Sequence, residues 1–231
     1  MDYRMIIAIA VIAVVFICLF AKSGGKKAII STKFITRSAI FAAISIVLYL
    51  VPAFNIALPI FPAFLKIHID EIPVFIAGFA YGPLSAVFIL IVKTLAKLPL
   101  SFNSHGVGEI ADLIYSLAFI LPATIIYRKH RTLKGAFIGL GVGFVVQLVT
   151  SCLLTTFVML KLYGIVLGLT EERILAMCKV VNPNVTNLTW PFILYVALPF
   201  NALKDVIVIV ITILLYKRLH GYIDRLEIEK N

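Results

Sequence analysis

Pro199-Phe200-Asn201-Ala202-Leu203-Lys204-Asp205 runs without a break into Val206-Ile207-Val208-Ile209-Val210-Ile211-Thr212-Ile213-Leu214-Leu215 and ends at Tyr216-Lys217-Arg218. From Pro199 to Tyr216 the chain is long enough to cross the hydrocarbon core of a bilayer as one helix. Asn201, Lys204 and Asp205 then lie a turn or two inside one end of that helix. Asn201 and Lys204 are three apart and share a face. A lysine there costs roughly 2.5–3.5 kcal/mol on insertion scales if nothing receives it. Residues kept at such a cost face a cavity, a partner or a ligand. The other reading is a Lys204 that snorkels to the nearer interface with its stem packed on neighbours.

The composition agrees with a membrane span. Hydrophobic residues make up 62% and charged ones 14% of the 231 residues, and the mean hydropathy is +1.09. Soluble domains average about 45–50% apolar and 25% charged. An all-α, polytopic membrane protein is expected. The net charge of +10 belongs to the orientation of loops, not to a nucleic-acid surface, because no basic cluster is interleaved with aromatics on a polar face. Cys18, Cys152 and Cys178 are scattered without a C-x-x-C spacing, which argues against a disulfide framework or a zinc site.

Residues 5–21 form a first apolar run, followed by a basic linker that ends at Lys27. It has no small-x-small cleavage pattern before its lysines and reads as a retained helix with its amino end outside. The next helix starts near Thr36-Arg37 and runs to about Val51-Pro52. It carries two small-xxx-small pairs, Ser38/Ala42 and Ala39/Ala43, which suit close packing within the chain or against another helix. Pro52, Pro59 and Pro62 exclude a regular helix in the stretch that follows. That stretch is too apolar for a solvated loop and reads as a lid or a wall of a binding site.

Residues 69–81 and 84–98 read as a helical hairpin turning at Gly82-Pro83, with Lys93 and Lys97 four apart near its far end. Gly106-Val107-Gly108-Glu109-Ile110-Ala111-Asp112 opens a helix that reaches Tyr127. A basic loop, Arg128-Lys129-His130-Arg131, leads to a helix with Gly135, Gly139 and Gly143 on one close-packing face. This helix continues through Gln147 and Thr155 to about Leu162. Glu171 to Lys179 suits a short amphipathic helix, broken at Asn182-Pro183-Asn184. Trp190 and Tyr195 suit an interfacial belt before the last helix.

Seven crossings with the amino end outside put 13 of the 21 Lys+Arg on the cytoplasmic side. Six fall outside, Lys66 and Lys97 among them, and Lys93 and Lys204 stay within the membrane. The bias supports this orientation. It brings the Pro-rich stretch, the Gly106–Glu109 turn, the Asn182 loop and one end of the last helix to the outer side, as walls of one outward-facing pocket.

His105 and Glu109, four apart, with His68 and Asp70 in another loop, are the metal candidates. No second His or Cys shares a helix face with either histidine, so no metal is expected. Asp112 and Asp205 read as the deep carboxylates, and no nucleophile–base pair accompanies them. No catalytic residue and no cofactor is expected. No phosphate-binding loop of the Walker type is present, so any uphill transport draws its energy from a partner or an ion gradient. An ion-coupled secondary transporter would often show inverted repeats, and none is found between the halves. An intramembrane enzyme would need the missing catalytic set.

A family resemblance rests on motifs in order. These are Phe64-Leu65-Lys66-Ile67, Ile72-Pro73 with Gly78-Phe79-Ala80-Tyr81-Gly82-Pro83-Leu84, and Gly106-Val107-Gly108-Glu109. Tyr127-Arg128 with Thr132-Leu133-Lys134-Gly135-Ala136 follows, and then Pro199-Phe200-Asn201 with Lys204. From about Ser38 to Leu219 the chain resembles the riboflavin-specific S components of energy-coupling-factor (ECF) vitamin transporters. The resemblance implies a six-helix S-component domain over residues 28–220, with residues 1–27 as an extra transmembrane helix and linker and 221–231 as a cytoplasmic tail. It implies capture of riboflavin or a related flavin as transported ligand at the outer face of a prokaryotic cell membrane. Another vitamin, or ion-coupled transport of a small molecule, is the alternative. The implied partners are a transmembrane T component and two ABC-type ATPases, docked through the Ala39/Ala43 stripe. The implied substrate residues are Asn201 and Lys204 at the flavin's polar ring edge, Phe64, Leu65 and Lys66 in the covering loop, Glu109, and Thr155. Thr155 stands where an asparagine is expected, as does Asp112, and Asp205 replaces a small residue.

Overall fold

The structure is a computed structural model that describes residues 31–100 and 106–228. The expected helix over residues 5–21 and His105 lie outside the described residues. Seven helices follow one another within them. Helix α1 is Thr32–Leu50, opened by the Ser31 side chain accepting the Phe34 N–H. Helices α2 (Glu71–Tyr81) and α3 (Pro83–Lys97) form the expected hairpin. Gly82 joins them at φ 99, a conformation that costs little only without a Cβ, and Pro83 fits the first turn of the next helix.

Helix α4 is Val107–Lys129 and α5 is Leu133–Leu167, the latter containing a π-helical turn at Thr155–Met159. Helix α6 is Glu171–Val181. Helix α7 begins at Trp190, passes through a second π turn at Ile193–Ala197 and continues as Leu198–Ile228. The fold is mostly helical, as expected, but the Pro-rich stretch is not wholly irregular. Strands β1 (Ile56–Ala57) and β2 (Lys66–Ile67) pair antiparallel, with Ile56 opposite Ile67. Two residues per strand are too few to show an alternating pattern in sequence.

Helices α1, α4 and α5 and the Trp190–Leu219 part of α7 are each long and apolar enough to cross a membrane. Helices α2 and α3 have 11 and 15 residues, about 16 and 22 Å at 1.5 Å per residue. Both fall short of the ~30 Å hydrocarbon core. Every residue of α2 from Glu71 to Ala80 is buried, so this short helix is the centre of the fold. Around it Phe75, Phe79, Phe119, Tyr127 and Tyr216 make edge and tilted ring contacts, and the two tyrosine hydroxyls meet at 2.9 Å.

The glycine stripe on α5 packs as its spacing suggests. A Cβ on Gly139 would sit 2.6 Å from the Ala123 carbonyl oxygen, and one on Gly143 would overlap that of Phe119. The backbones of α4 and α5 therefore approach as closely as they do only because both positions lack a side chain. The two small-residue pairs of α1 part company. Ser38 and Ala42 are buried, with Ser38 Oγ 2.8 Å from Ser85 Oγ. Ala39 and Ala43 are exposed, beside exposed Ile40, Ile44 and Val47.

Candidate functional site

A cavity of about 480 Å³ opens where one end of α1, α4 and α7 meets the π turn of α5, under the Pro-rich loop. The last turn of α1 contributes Tyr49 and Leu50. The loop contributes Asn55, Phe64, Leu65, Lys66 and His68. Helix α4 adds Gly108, Glu109, Ala111, Asp112 and Tyr115, and α5 adds Thr155 and Tyr163. Helix α7 closes the floor with Phe192, Ala197, Phe200, Asn201 and Lys204. All seven residues expected at the substrate therefore line one space. The Asn182 loop, expected as a fourth wall, does not line it. Its Val185 packs with Cys152, Ile174, Cys178 and Phe192 behind the wall.

Lys204 is not uncompensated, as its apolar surroundings in sequence suggest. Its Nζ lies 3.0 Å from Glu71 Oε1, and the same oxygen accepts the Ser116 hydroxyl at 2.7 Å. Lys97 is not an outer-side solvated charge. It is 1% exposed, 2.7 Å from Asp112 and 3.9 Å from Asp70. Lys93 completes the group, 2.6 Å from Asp70 and 3.6 Å from Asp112. Asp112, at 19% exposure, is in fact the shallowest of these carboxylates, and Asp70 and Glu71 are buried as deeply as Asp205. Charges at this depth persist because each cation meets a carboxylate. An unpaired one would cost several kcal/mol, on the order of 3–5.

Asn201 donates its Nδ2 hydrogen to the Ala197 carbonyl at 2.7 Å and accepts from Gln147 Nε2 at 3.4 Å. Ala197 is the last residue of the π turn, so this bond ties the Asn201 side chain to the widened turn. Across the cavity, Tyr115 and Thr155 hydroxyls meet at 2.7 Å. Thr155 opens the other π turn. Both wide turns thus sit beside the cavity, where such turns are frequent in functional sites.

The loop is pinned to α1 by a polar relay. Asn55 donates to the Tyr49 carbonyl at 2.9 Å, and its Oδ1 lies 2.6 Å from His68 Nδ1. The His68 ring rests on the Tyr49 ring at 4.9 Å, and Lys97 Nζ sits 3.2 Å from the centre of the same tyrosine ring. Burial pushes His68 down to about 4, against the opposing pull of Asp112 and Asp70, so the imidazole is neutral near pH 7. Its ring faces Asn55, and the Asp70 carboxylate faces Lys93, so neither is turned toward a metal. Among the described residues no three His, Cys, Asp or Glu side chains converge.

The arrangement can hold a flat, largely apolar molecule with a polar edge. Rings from Tyr49, Phe64, Tyr115, Phe192 and Phe200 offer apolar faces, and a few fixed donors and acceptors orient the ligand. Glu71, Tyr49, Asn55 and Tyr115 escaped the sequence reading. Glu71 sits in the first turn of its helix, where an acid ordinarily only complements the dipole. Its partner is 133 positions away, a distance no local pattern reports.

Comparison with known proteins places these features in context. The family described as ECF transporter, substrate-specific component, matches residues 33–216. The riboflavin transporter RibU of Staphylococcus aureus (strain TCH60) is 25% identical over 190 residues, covering 82% of this chain and 93% of that protein. The riboflavin transporter FmnP of Bacillus subtilis (strain 168) is 23% identical over 193 residues, covering 83% and 95%. A solved structure described as the S component of a bacterial ECF transporter aligns with TM-score 0.64 and 25% identity, covering 82% of this chain and 96% of that one.

Proposed function

The chain belongs to the substrate-specific components of ECF transporters, and from that premise we propose that it captures riboflavin, or a closely related flavin, in the cavity under the Pro-rich loop. The carrying observation is that the amide of Asn201 and the ammonium of Lys204 meet aromatic walls in one cavity of about 480 Å³, within the ~300–1,000 Å³ range of small-molecule sites. The isoalloxazine ring slides between the aromatic side chains, with its carbonyl edge toward Asn201 and Lys204. Thr155 faces the ring, Phe64, Leu65 and Lys66 cover it, and Glu109 receives hydroxyls of the ribityl chain.

On this reading α1, α2, α3, α4, α5 and α7 are the six helices of the S-component domain, and α6 lies outside the bilayer. The end of α7 that carries Lys217 and Arg218 faces the cytoplasm. The chain performs no chemistry on its ligand and needs no cofactor. Energy for uptake comes from two ABC-type ATPases through a transmembrane T component, which docks on the exposed Ala39/Ala43 face of α1. Small side chains there let a partner helix approach closely within the membrane.

Titration of the purified protein with riboflavin, read by quenching of flavin fluorescence, tests the ligand. Saturable quenching at one site per chain is expected. A protein that stays folded, carries no flavin and leaves added riboflavin fluorescence untouched overturns the assignment.

A further inference from the structure

Glu71 does not line the cavity, yet it holds the side chain that forms its floor. It is fully buried, and its Oε1 takes both the Lys204 ammonium at 3.0 Å and the Ser116 hydroxyl at 2.7 Å. Its place in the first turn of α2 adds the positive end of a helix dipole. An ammonium has three donors. One is spent on Glu71, and Lys204 is 5% exposed where it lines the cavity. The remaining donors can therefore serve a ligand.

The charge count matters as much as the geometry. Lys93, Lys97 and Lys204 each meet one carboxylate, Asp70, Asp112 and Glu71 in turn, while Asp205 lies buried beside Lys204 with neither oxygen hydrogen-bonded among the described residues. The carboxylates that act on Lys204 come from Glu71 on α2, Asp112 on α4, Asp205 beside it on α7 and Asp70 just before α2. Among the described residues, only Glu71 forms an ion pair with it, at 3.0 Å. Gln147, the α5 side chain that contacts Asn201, is uncharged.

We propose that Glu71 is a positioning residue for ligand capture. By fixing the Lys204 ammonium while cancelling its charge, it sets the floor to accept a neutral carbonyl edge rather than an anion. This inference rests on the reading of the ligand as a flavin. A flavin carries, between two ring carbonyls, a weakly acidic imide N–H. An ammonium stripped of its carboxylate would favour the deprotonated ring and bind the neutral ring in a less fixed position.

Four proteins test it, namely the parent, Glu71→Gln, Lys204→Met and the double variant. Each is titrated with riboflavin, and the absorbance of the bound flavin is followed against pH. Glu71→Gln is expected to weaken binding at pH 7 by about tenfold or more, and to lower the pH at which the bound imide ionises. In the Lys204→Met background the same change is expected to alter affinity by less than about twofold, because its target is gone. Parental affinity and an unchanged ionisation pH in Glu71→Gln overturn the proposal. So does an equal loss in both backgrounds, which marks Glu71 as a support of the fold. If Glu71→Gln does not accumulate as folded protein, Lys204→Met and the double variant decide alone, and a tenfold gap between them overturns the inference. A folded parent that binds no riboflavin overturns the flavin reading itself, and this inference with it.

Discussion

Asp112→Asn removes the one partly exposed carboxylate from a group of four charges whose other three members are buried, and the structure gives the size of the effect. Asp112 sits 2.7 Å from Lys97 and 3.6 Å from Lys93. At an effective dielectric of about 20 these contacts represent roughly 6 and 5 kcal/mol of attraction before desolvation is counted. The substitution leaves Asp70 as the sole carboxylate for two lysines, at 2.6 and 3.9 Å. Breaking a buried ionic group by removing one member costs about 3–5 kcal/mol, most of it from the charge left behind. For a chain of this length that corresponds to a fall in melting temperature of about 6–20 °C. Thermal unfolding in detergent, read from the single tryptophan, measures it. Adding Lys97→Met restores neutrality and is expected to recover most of the loss, since apolar replacement of a buried pair is often neutral. A single variant that melts within about 2 °C of the parent, or a double variant worse than the single, refutes the view that pairing makes these charges tolerable.

Replacing Ala39 and Ala43 together by Leu is expected to leave riboflavin binding intact, because both lie on the exposed face of α1, and to stop uptake in cells supplying the partner subunits. Normal uptake by the double variant removes that face from the docking surface. Gly139→Val is expected to lower the melting temperature sharply, since its Cβ alone meets the Ala123 carbonyl at 2.6 Å, and an unchanged melt shows that α4 and α5 separate cheaply. Acid should loosen the lid. Folded His68 titrates near 4 against 6.5 in the unfolded chain, so the folded state binds fewer protons below 6.5. Its stability is intact above that pH, falls as pH drops toward 4, and is lower by about 2 kcal/mol at pH 5. Melts of the parent and His68→Gln at pH 7.5 and 5 check this, and an equal drop in both assigns the acid sensitivity elsewhere.

Much of the site was readable because polar residues stand out on apolar helices. Asn201 and Lys204 interrupt a run of aliphatic residues, so position alone marked them. The glycines of α5 carried their own period. Asp70, Glu71 and Lys97 gave no such signal, because each falls at a helix end, where a charge ordinarily meets water. Their burial is a property of how the short hairpin sinks between longer helices. The turn at Asn182 misled for the opposite reason. Its polarity and its place before the last helix suggested a wall, but Val185 turns it into a buttress for Phe192. The two π turns were invisible, since a one-residue widening leaves the apolar pattern on either side intact.

Those wide turns make the helices that bear the site adjustable in whole steps. A π turn is an α-helix with one residue too many, and losing that residue would rotate everything on one side by about 100° relative to the other. In α7 the widening at Ile193–Ala197 separates Phe192 from Phe200, Asn201 and Lys204, so the part of the wall that Phe192 forms sits on the opposite side of it from the polar pair. A lineage that gained or lost one residue there would re-aim the wall while the floor stayed anchored in the core. Such a joint lets one scaffold present different shapes above a constant hydrogen-bonding base, without any substitution among the residues that do the bonding.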